Sequence, residues 1–422
     1  MGDIFSEIWN SVRRNKLRTC LTGFAVAWGI FMLIVLLGAG NGLINAILQG
    51  SEGVSLNTMT VSGGVTSKPY GGLSEGRSIT LEASDMEVFE SESLGENVDE
   101  VMSSIYYNGT AVFGKNSASS CLVYGVYPGY LGVDGIKISS GRFINDTDLK
   151  QRRKTAVFSD RLAEMLLGDG RAAEELVGKD VRIDHANYKV VGISKTDMSS
   201  YNQTIYVPFS TVLILNARGN DVDEITFTFH GLETEAENEA FMDRVRAAVN
   251  TRHNAAPDDR SAVWIWNTFL EKMQIDKALG MVTTGLWVIG LLTLLSGIVG
   301  VSNIMLITVK ERTHEFGIRK SIGARPWHIT RLILSESIVI TAFFGYIGMA
   351  AGMFACEMLD RYVANNAMEV LGESVMIFVN PTVGLDVALQ ATLLLVVAGT
   401  VAGLFPARKA AKVRPIEALR VE

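Results

Sequence analysis

The sequence predicts a membrane α-helical protein in which four transmembrane helices carry a large α+β extracytoplasmic domain of two lobes. Three observations predict this fold. The chain has four apolar runs, and a polar insert of roughly 225 residues, enough for one or two domains, separates the first two. A short, densely charged segment separates the second run from the third. Only helices or closed barrels satisfy the backbone in lipid, and long uninterrupted apolar runs indicate helices.

The four runs are long enough to cross a bilayer. About 20 helical residues span the roughly 30 Å of hydrocarbon in a membrane. Each run is rich in Leu, Ile, Val and Gly and nearly free of charge. The predicted spans are residues 20–39, 285–309, 332–356 and 383–405.

Lysine and arginine in the short flanks predict the orientation of the spans. They concentrate in residues 1–19, in the hairpin 310–331 and in the tail 406–422, whereas the loop 357–382 has only Arg361. Because basic flanks stay in the cytoplasm, both termini and the hairpin are predicted to be cytoplasmic. Residues 40–284 and the short loop 357–382 are then outside.

The N-terminal segment 1–19 predicts an amphipathic helix on the cytoplasmic leaflet or against a protein partner. Its apolar residues recur at helical spacing and precede a basic group. The apolar positions are Ile4, Phe5, Ile8, Trp9, Val12 and Leu17.

The charge and the apolar spacing of the outer segment predict an acidic α+β domain on helical stalks. Residues 50–276 hold 33 Asp and Glu against 21 Lys and Arg, which argues against nucleic-acid binding. Apolar spacing extends the first two spans as helices through residues 41–48 and 268–281. A glycine kink at Gly38, Gly40 and Gly42 is the alternative for the first stalk. A strand-rich second lobe is predicted at about residues 133–211.

Nine strands and three helices are predicted in this outer segment. The strands come from alternating apolar residues, and Asp160 and Gly168 are the expected N-cap and stop of the middle helix. The strands are 57–61, 110–113, 121–126, 155–158, 181–183, 188–193, 204–207, 224–229 and 262–266, and the helices are 82–91, 160–167 and 233–249.

No motif for catalysis, cofactor binding or metal binding stands out. The stretch 109–116 resembles a phosphate-binding loop, but Asn116 stands where Ser or Thr would hold magnesium. Cys20, Cys121 and Cys356 cannot form a disulfide framework in the outer segment, and Cys121 is expected to be a small core residue. We therefore expect no enzyme activity, no catalytic residue, no cofactor and no metal ion on this chain.

Two pairs of glycines predict close helix packing within the spans. Gly348 and Gly352, like Gly399 and Gly403, are four residues apart and share one helix face. General span composition is the alternative explanation, because Gly is common in membrane helices. Glu336 opens the third span, where we expect it to pair locally with Arg331 rather than to relay protons.

The charged hairpin is too short for a domain, so it predicts a short helix that contacts a partner at the membrane face. Its sequence, Glu311-Arg-Thr-His-Glu-Phe-Gly-Ile-Arg-Lys-Ser-Ile-Gly-Ala324, resembles the signature hairpin of MacB/FtsX-superfamily ABC transporter permeases. The segments 13–19, 406–411 and 415–420 resemble the flanks of that family. The segments 141–143, 176–179, 190–193 and 206–209 resemble its periplasmic core domain.

The resemblance implies a partner ATPase that docks on the hairpin. In this family a permease dimer passes the ATP-driven closure of cytoplasmic ABC ATPase subunits to the outer domain, and ATP and Mg stay on the ATPase. This chain starts almost directly at a membrane helix, whereas MacB carries its ATPase fused at the N-terminus, so we expect a separate ATPase. The expected coupling residues are Glu311, Arg312, Glu315, Phe316, Gly317, Ile318, Arg319, Lys320, Ile322, Gly323 and Ala324.

The resemblance further implies an export or efflux permease in the bacterial inner membrane. It would act as a homodimer or heterodimer, with a periplasmic adaptor and an outer-membrane channel as further candidate partners. A lipoprotein-releasing permease and a non-transporting FtsX-like regulator of an extracytoplasmic hydrolase are the alternatives. We expect Phe316, Ile318 and Ile322 to form the apolar edge that the ATPase buries.

Overall fold

The computed structural model divides the chain into two compact units. The helical unit comprises Met1–Gln49 and Lys277–Glu422, and the α/β unit comprises Gly50–Asp276. Residues 1–15 of the predicted helix 1–19 lie outside the described residues. Residues 413–422 of the predicted tail also lie outside them. The structure describes residues 16–49, 53–91, 94–168, 170–195, 203–216, 218–365, 368–370, 373–375, 380–381 and 384–412.

We number the described helices along the chain. The helices are α1 (Lys16–Gln49), α2 (Tyr130–Val133), α3 (Asp146–Lys150), α4 (Asp160–Leu167), α5 (Phe209–Leu215), α6 (Glu235–Arg252), α7 (Thr268–Glu311), α8 (Thr313–Ser321), α9 (Pro326–Asn365) and α10 (Leu385–Ala411). Two 3₁₀ helices occupy Ala83–Glu90 and Ala173–Leu176.

Three helices within the described residues are long and apolar enough to cross a membrane. They cover Thr19–Leu48, Thr268–Glu311 and Pro326–Val363, and so contain the first three predicted spans. The fourth predicted span, residues 383–405, falls almost entirely within α10, a helix of 27 residues. Its crossing of the membrane stays a prediction.

The helical unit packs around one apolar cluster. Ile30 and Leu33 of α1, Leu294 and Val301 of α7 and Ile333 of α9 all belong to it. Small residues of α10 also belong to this cluster, namely Ala391, Ala398, Ala402, Ala407 and Ala410. The unit is therefore held together by side-chain packing among its long helices, and small residues let α10 approach closely.

Both predicted stalk segments are helical. Helix α1 continues without interruption through Gly38, Gly40 and Gly42 to Gln49, and α7 runs unbroken for 44 residues. A helix rises 1.5 Å per residue, so α7 is roughly 66 Å long, about twice the hydrocarbon thickness of a bilayer. The three glycines therefore do not end the helix, in spite of their intrinsic cost in a helix interior.

The α/β unit contains one mixed sheet of ten strands. Its order is β12-β1-β11-β3-β4-β9-β6-β8-β5, and β7 pairs with β3 and β8. The strands are β1 (Thr58–Gly63), β2 (Leu81–Glu82), β3 (Val98–Phe113), β4 (Asn116–Val126), β5 (Ile138–Gly141), β6 (Thr155–Ser159), β7 (Asp180–Ile183), β8 (Ala186–Ser194), β9 (Thr204–Pro208), β10 (Asp221–Val222), β11 (Glu224–Phe229) and β12 (Val263–Asn267), with a separate pair β13 (Met368–Val370) and β14 (Glu373–Val375) in the helical unit.

Strand β3 joins the two halves of the sheet. Its first half pairs with β11 as far as Ser104, and its second half pairs with β4 from Ile105 onwards. Strand β4 in turn pairs with β9, which lies inside the predicted second lobe, so the sheet is continuous across the boundary that we predicted at about residue 133. One main apolar cluster also includes residues on both sides of that boundary, such as Phe227 and Phe158. The division into two lobes is not confirmed.

The nine predicted strands are all present, but the two-residue strands β2 and β10, strand β5 and the first half of β3 were missed. Strand β5 is short and half-exposed, and the first half of β3 carries charged residues, so neither shows a clear apolar alternation. The predicted helix 82–91 is a 3₁₀ helix. Ser159, not Asp160, is the N-cap of α4, and Gly168 ends that helix with a positive φ of 66°. Only glycine adopts such a φ without strain.

Candidate functional site: the charged hairpin

The hairpin helix α8 is fixed to the helical unit by Phe316. Only Arg312 separates it from the end of α7, and only 1 % of Phe316 is exposed. Phe316 belongs to the same apolar cluster as Val309 of α7 and Ile329 of α9. The ring is therefore enclosed by the chain's own helices and is not part of an exposed edge, and a contact between Phe316 and the ATPase stays a prediction.

Arg312 lies at the centre of a network of charges around Phe316. Its guanidinium donates two hydrogen bonds to the Glu315 carboxylate, at 2.8 and 3.1 Å, and lies 5.3 Å from the centre of the Phe316 ring. A third nitrogen reaches Glu336 of α9 at 3.4 Å. Arg319 also donates to Glu315, at 2.8 Å. The hydrogen bonds from Arg312, together with the charges of Arg312 and Arg319, lower the pKa of the Glu315 carboxyl.

The network gives Glu336 a partner that we did not predict. Glu336 is buried and pairs with Arg312, which lies 24 residues earlier in the chain. The contact links the junction between α7 and α8 to α9. A buried carboxylate beside an arginine is expected to fix the angle between two helices rather than to add much net stability.

Substitutions in this network are expected to have unequal effects. Arg312→Gln removes the contacts to Glu315, Glu336 and the Phe316 ring together, and we expect it to cost about 3 kcal/mol of stability. Glu336→Gln leaves the Arg312–Glu315 pair in place, and we expect it to cost about 1 kcal/mol. Thermal unfolding of both variants in one detergent measures the difference. Equal losses would contradict the central position of Arg312.

The far end of α8 is closed by a Schellman motif. The Ala324 N–H donates to the Arg319 carbonyl at 3.0 Å, and the Gly323 N–H donates to the Lys320 carbonyl at 3.0 Å. Gly323 has a φ of 100°, which is why glycine is needed at this position. The Lys320 ammonium donates to the Ala411 carbonyl at 2.5 Å, at the C-terminal end of α10.

An exposed apolar edge remains on the hairpin. Ile318 is 39 % exposed, Ile322 is 81 % exposed and Trp327 at the start of α9 is 66 % exposed. Glu311 and Gly323 are also exposed, Ala324 is half-buried and Gly317 is buried. We did not predict a role for Trp327. A tryptophan in a polar segment, directly after Pro326, was the signal that could have indicated it.

The predicted glycine pairs lie at close helix contacts. A Cβ added at Gly348 would lie 2.2 Å from the Ala27 carbonyl oxygen of α1, and one at Gly352 would lie 2.9 Å from Ile34. The second pair lies where α10 packs on α9: a Cβ added at Gly399 would lie 3.1 Å from Thr341, and one at Gly403 would lie 2.7 Å from Ser337. Both pairs therefore allow backbones to approach more closely than any side chain permits.

The α/β unit contains a cavity of about 310 Å³. One wall is formed by the first two turns of α7 and another by β11, where burial raises the pKa of the Glu224 carboxyl. Trp266 of β12 also lines the cavity, and its indole N–H donates to Glu271 at 3.0 Å. The cavity lies within Gly50–Asp276, where we predicted no binding site.

Comparison with known families identifies the family of this chain. The family of MacB-like periplasmic core domains matches residues 19–250, more than half of the chain, and the family of FtsX-like permease C-terminal regions matches residues 287–415. The chain belongs to the MacB/FtsX family of ABC transporter permeases. The predicted family is thereby confirmed, and the permease is a membrane-spanning component of that family.

Two relatives differ in the share of their own length that this chain covers. The permease is 25 % identical over 414 residues to the macrolide export ATP-binding/permease protein MacB of Neisseria meningitidis, covering 97 % of this chain but 59 % of that protein. It is 27 % identical over 420 residues to the uncharacterized ABC transporter permease YknZ of Bacillus subtilis. This match covers 98 % of this chain and 97 % of that protein. The chain thus spans about three fifths of the MacB relative.

The chain is also similar to a solved domain. The crystal structure of the periplasmic region of MacB from Actinobacillus actinomycetemcomitans matches with a TM-score of 0.41 at 22 % identity. The match covers 53 % of this chain and 94 % of that one.

Proposed function

We propose that this chain is the permease subunit of an ABC exporter and passes ATP-driven motion from a cytoplasmic ATPase to an extracytoplasmic domain. One observation carries the proposal. Helix α7 is continuous for 44 residues, starts in the α/β unit and is separated from the hairpin helix by Arg312 alone. A continuous helix transmits an axial or tilting displacement, whereas a hinge would absorb it.

The start of α7 is held firmly within the α/β unit. The buried Asn267 side chain accepts hydrogen bonds from the N–H groups of Phe269 and Leu270, at 3.0 and 3.2 Å. This caps the first turn of the helix. The same side chain donates to Asn238 of α6 at 3.0 Å, and Phe269 packs on the main apolar cluster. The α7 start is thus anchored to the sheet and to α6.

The cytoplasmic end of α7 is held by the hairpin. Phe316 and the Arg312–Glu336 contact fix α8 against α9, so a force on α8 is passed to the helices rather than lost in a loose loop. The exposed edge of Ile318, Ile322 and Trp327 supplies a surface for the ATPase. Apolar anchors that become enclosed at an interface typically contribute 2 kcal/mol or more of binding.

Replacing the edge by acidic residues is expected to abolish docking. We expect the double variant Ile318→Asp/Ile322→Asp to lose co-purification with the ABC ATPase, because two carboxylates would be desolvated at the interface. Both positions are exposed, so the variant should keep its melting temperature. The matched control is Ile214→Asp on α5 of the α/β unit, which is also exposed. Normal ATPase binding by the double variant would overturn the docking proposal.

We further propose that the permease works as a dimer with a second copy. The rings of Phe24 and Trp28 on α1 support this, because they stack on each other and remain exposed, and so provide a packing surface for a second copy. Twofold symmetry is the commonest closed arrangement of copies of one chain.

Export as the function of the permease is supported by the family and by the relatives that are named MacB. A periplasmic adaptor and an outer-membrane channel would then be further partners.

A further inference from the structure

The cavity of the α/β unit combines acidic, aromatic and aliphatic side chains. Asp134, Glu224 and Glu271 contribute carboxylates, while Tyr130 and Trp266 contribute rings. Volumes of about 300 Å³ are at the lower end of the range for small-molecule pockets. The cavity is therefore large enough for a small organic molecule.

The charges lining the cavity favour a cation over an anion. Lys272 is the one basic residue in the lining, and its ammonium is paired with Asp276 at 3.0 Å. Three carboxylates against one paired ammonium give a negative field, which low-dielectric walls focus. An anion would be repelled by these carboxylates.

The lining favours an organic cation over a metal ion. Among the residues that the structure describes, no three His, Cys, Asp or Glu side chains are close enough to hold a metal ion. The indole of Trp266 is 61 % exposed although its N–H is bonded to Glu271, so its face is available for contact. Aromatic faces attract ammonium groups, and aliphatic walls favour an apolar body.

We propose that this cavity binds a small amphipathic organic cation, such as a substituted ammonium with an apolar body. The ammonium lies between Glu224 and the rings of Tyr130 and Trp266, and the apolar body contacts the aliphatic lining, which includes Val133 and Ile275. Because Ile275 and Glu271 belong to α7, the bound cation contacts the helix that carries the proposed motion. The inference rests on the proposed function for its biological meaning, but binding itself does not require the ATPase.

The test is calorimetric titration of the full-length chain in lipid nanodiscs, without ATPase, with benzyltrimethylammonium as the probe. We expect saturable binding, and weaker binding of its uncharged carbon isostere, neopentylbenzene. Glu224→Gln is expected to weaken cation binding at least about fivefold, as is Trp266→Ala, since the loss of a charge or ring contact of about 1 kcal/mol corresponds to that factor.

The control is Glu239→Gln, an exposed acidic residue of α6 outside the cavity, which should bind like the unaltered chain. Equal affinity for the cation and its neutral isostere would overturn the proposal. So would unchanged cation affinity in both Trp266→Ala and Glu224→Gln. Failure of ATPase docking with intact cation binding would instead contradict only the proposed function.

Discussion

Replacing Phe316 by alanine is expected to loosen the hairpin from the helical unit at a cost of about 3–5 kcal/mol. The ring is almost fully enclosed by apolar side chains and also contacts the Arg312 guanidinium. Its removal leaves a cavity that neighbouring long helices cannot close by a small shift. We expect a lower melting temperature in detergent and loss of ATPase coupling as a consequence of lost structure.

Ile318→Ala separates this stability effect from docking. Ile318 is two residues away on the same helix but exposed, so its truncation should change the melting temperature little while it weakens ATPase binding. If Phe316→Ala kept the unaltered melting temperature and lost only ATPase binding, the enclosed position of the ring would be contradicted.

Gly348→Ala is expected to separate α1 from α9. The added methyl carbon would lie 2.2 Å from a backbone oxygen of Ala27, an atom that cannot rotate away. The two helices must then move apart and lose the contacts on both sides of the glycine. We expect a loss at or above the upper end of the roughly 1–3 kcal/mol range for overpacked sites. Thermal unfolding and the yield of monodisperse protein measure it.

Gly285→Ala is the matched control for this substitution. It lies in α7, and a Cβ there would meet no atom within 4 Å. Alanine is the better helix former by about 1 kcal/mol, so this variant should be as stable as the unaltered chain or more so. Similar losses for both variants would show that helix propensity rather than close packing governs the effect.

Local patterns predicted the elements of the fold well, because burial imposes them residue by residue. Alternating apolar residues identified β1, β6 and β9, and the long apolar runs identified α1 and α7. The continuity of β3 was not predictable in this way. Its two halves pair with different strands, and that arrangement depends on partners distant in the chain.

The site was predicted in position but not in detail. The charged hairpin between two apolar runs indicated a docking element, yet the direction in which each side chain points depends on how α8 lies on its neighbours. Phe316 and Ile318 are both apolar and nearly adjacent, but one faces the core and the other faces solvent. The Arg312–Glu336 contact likewise requires the chain reversal between α8 and α9. The cavity in the α/β unit draws its lining from four separate stretches of sequence.

The account rests on α7 as a continuous transmitter, and distance measurements between spin labels test this most directly. Labels at Glu239→Cys in both copies of a dimer, in a Cys20→Ser background, report the separation of the α/β units with and without ATP on the ATPase. We predict that ATP changes this distance, and that Ala278→Pro abolishes the change while ATPase docking persists. Proline removes one hydrogen bond of α7 and costs about 3 kcal/mol at this exposed position. An unchanged distance on ATP binding, together with intact export, would contradict the account.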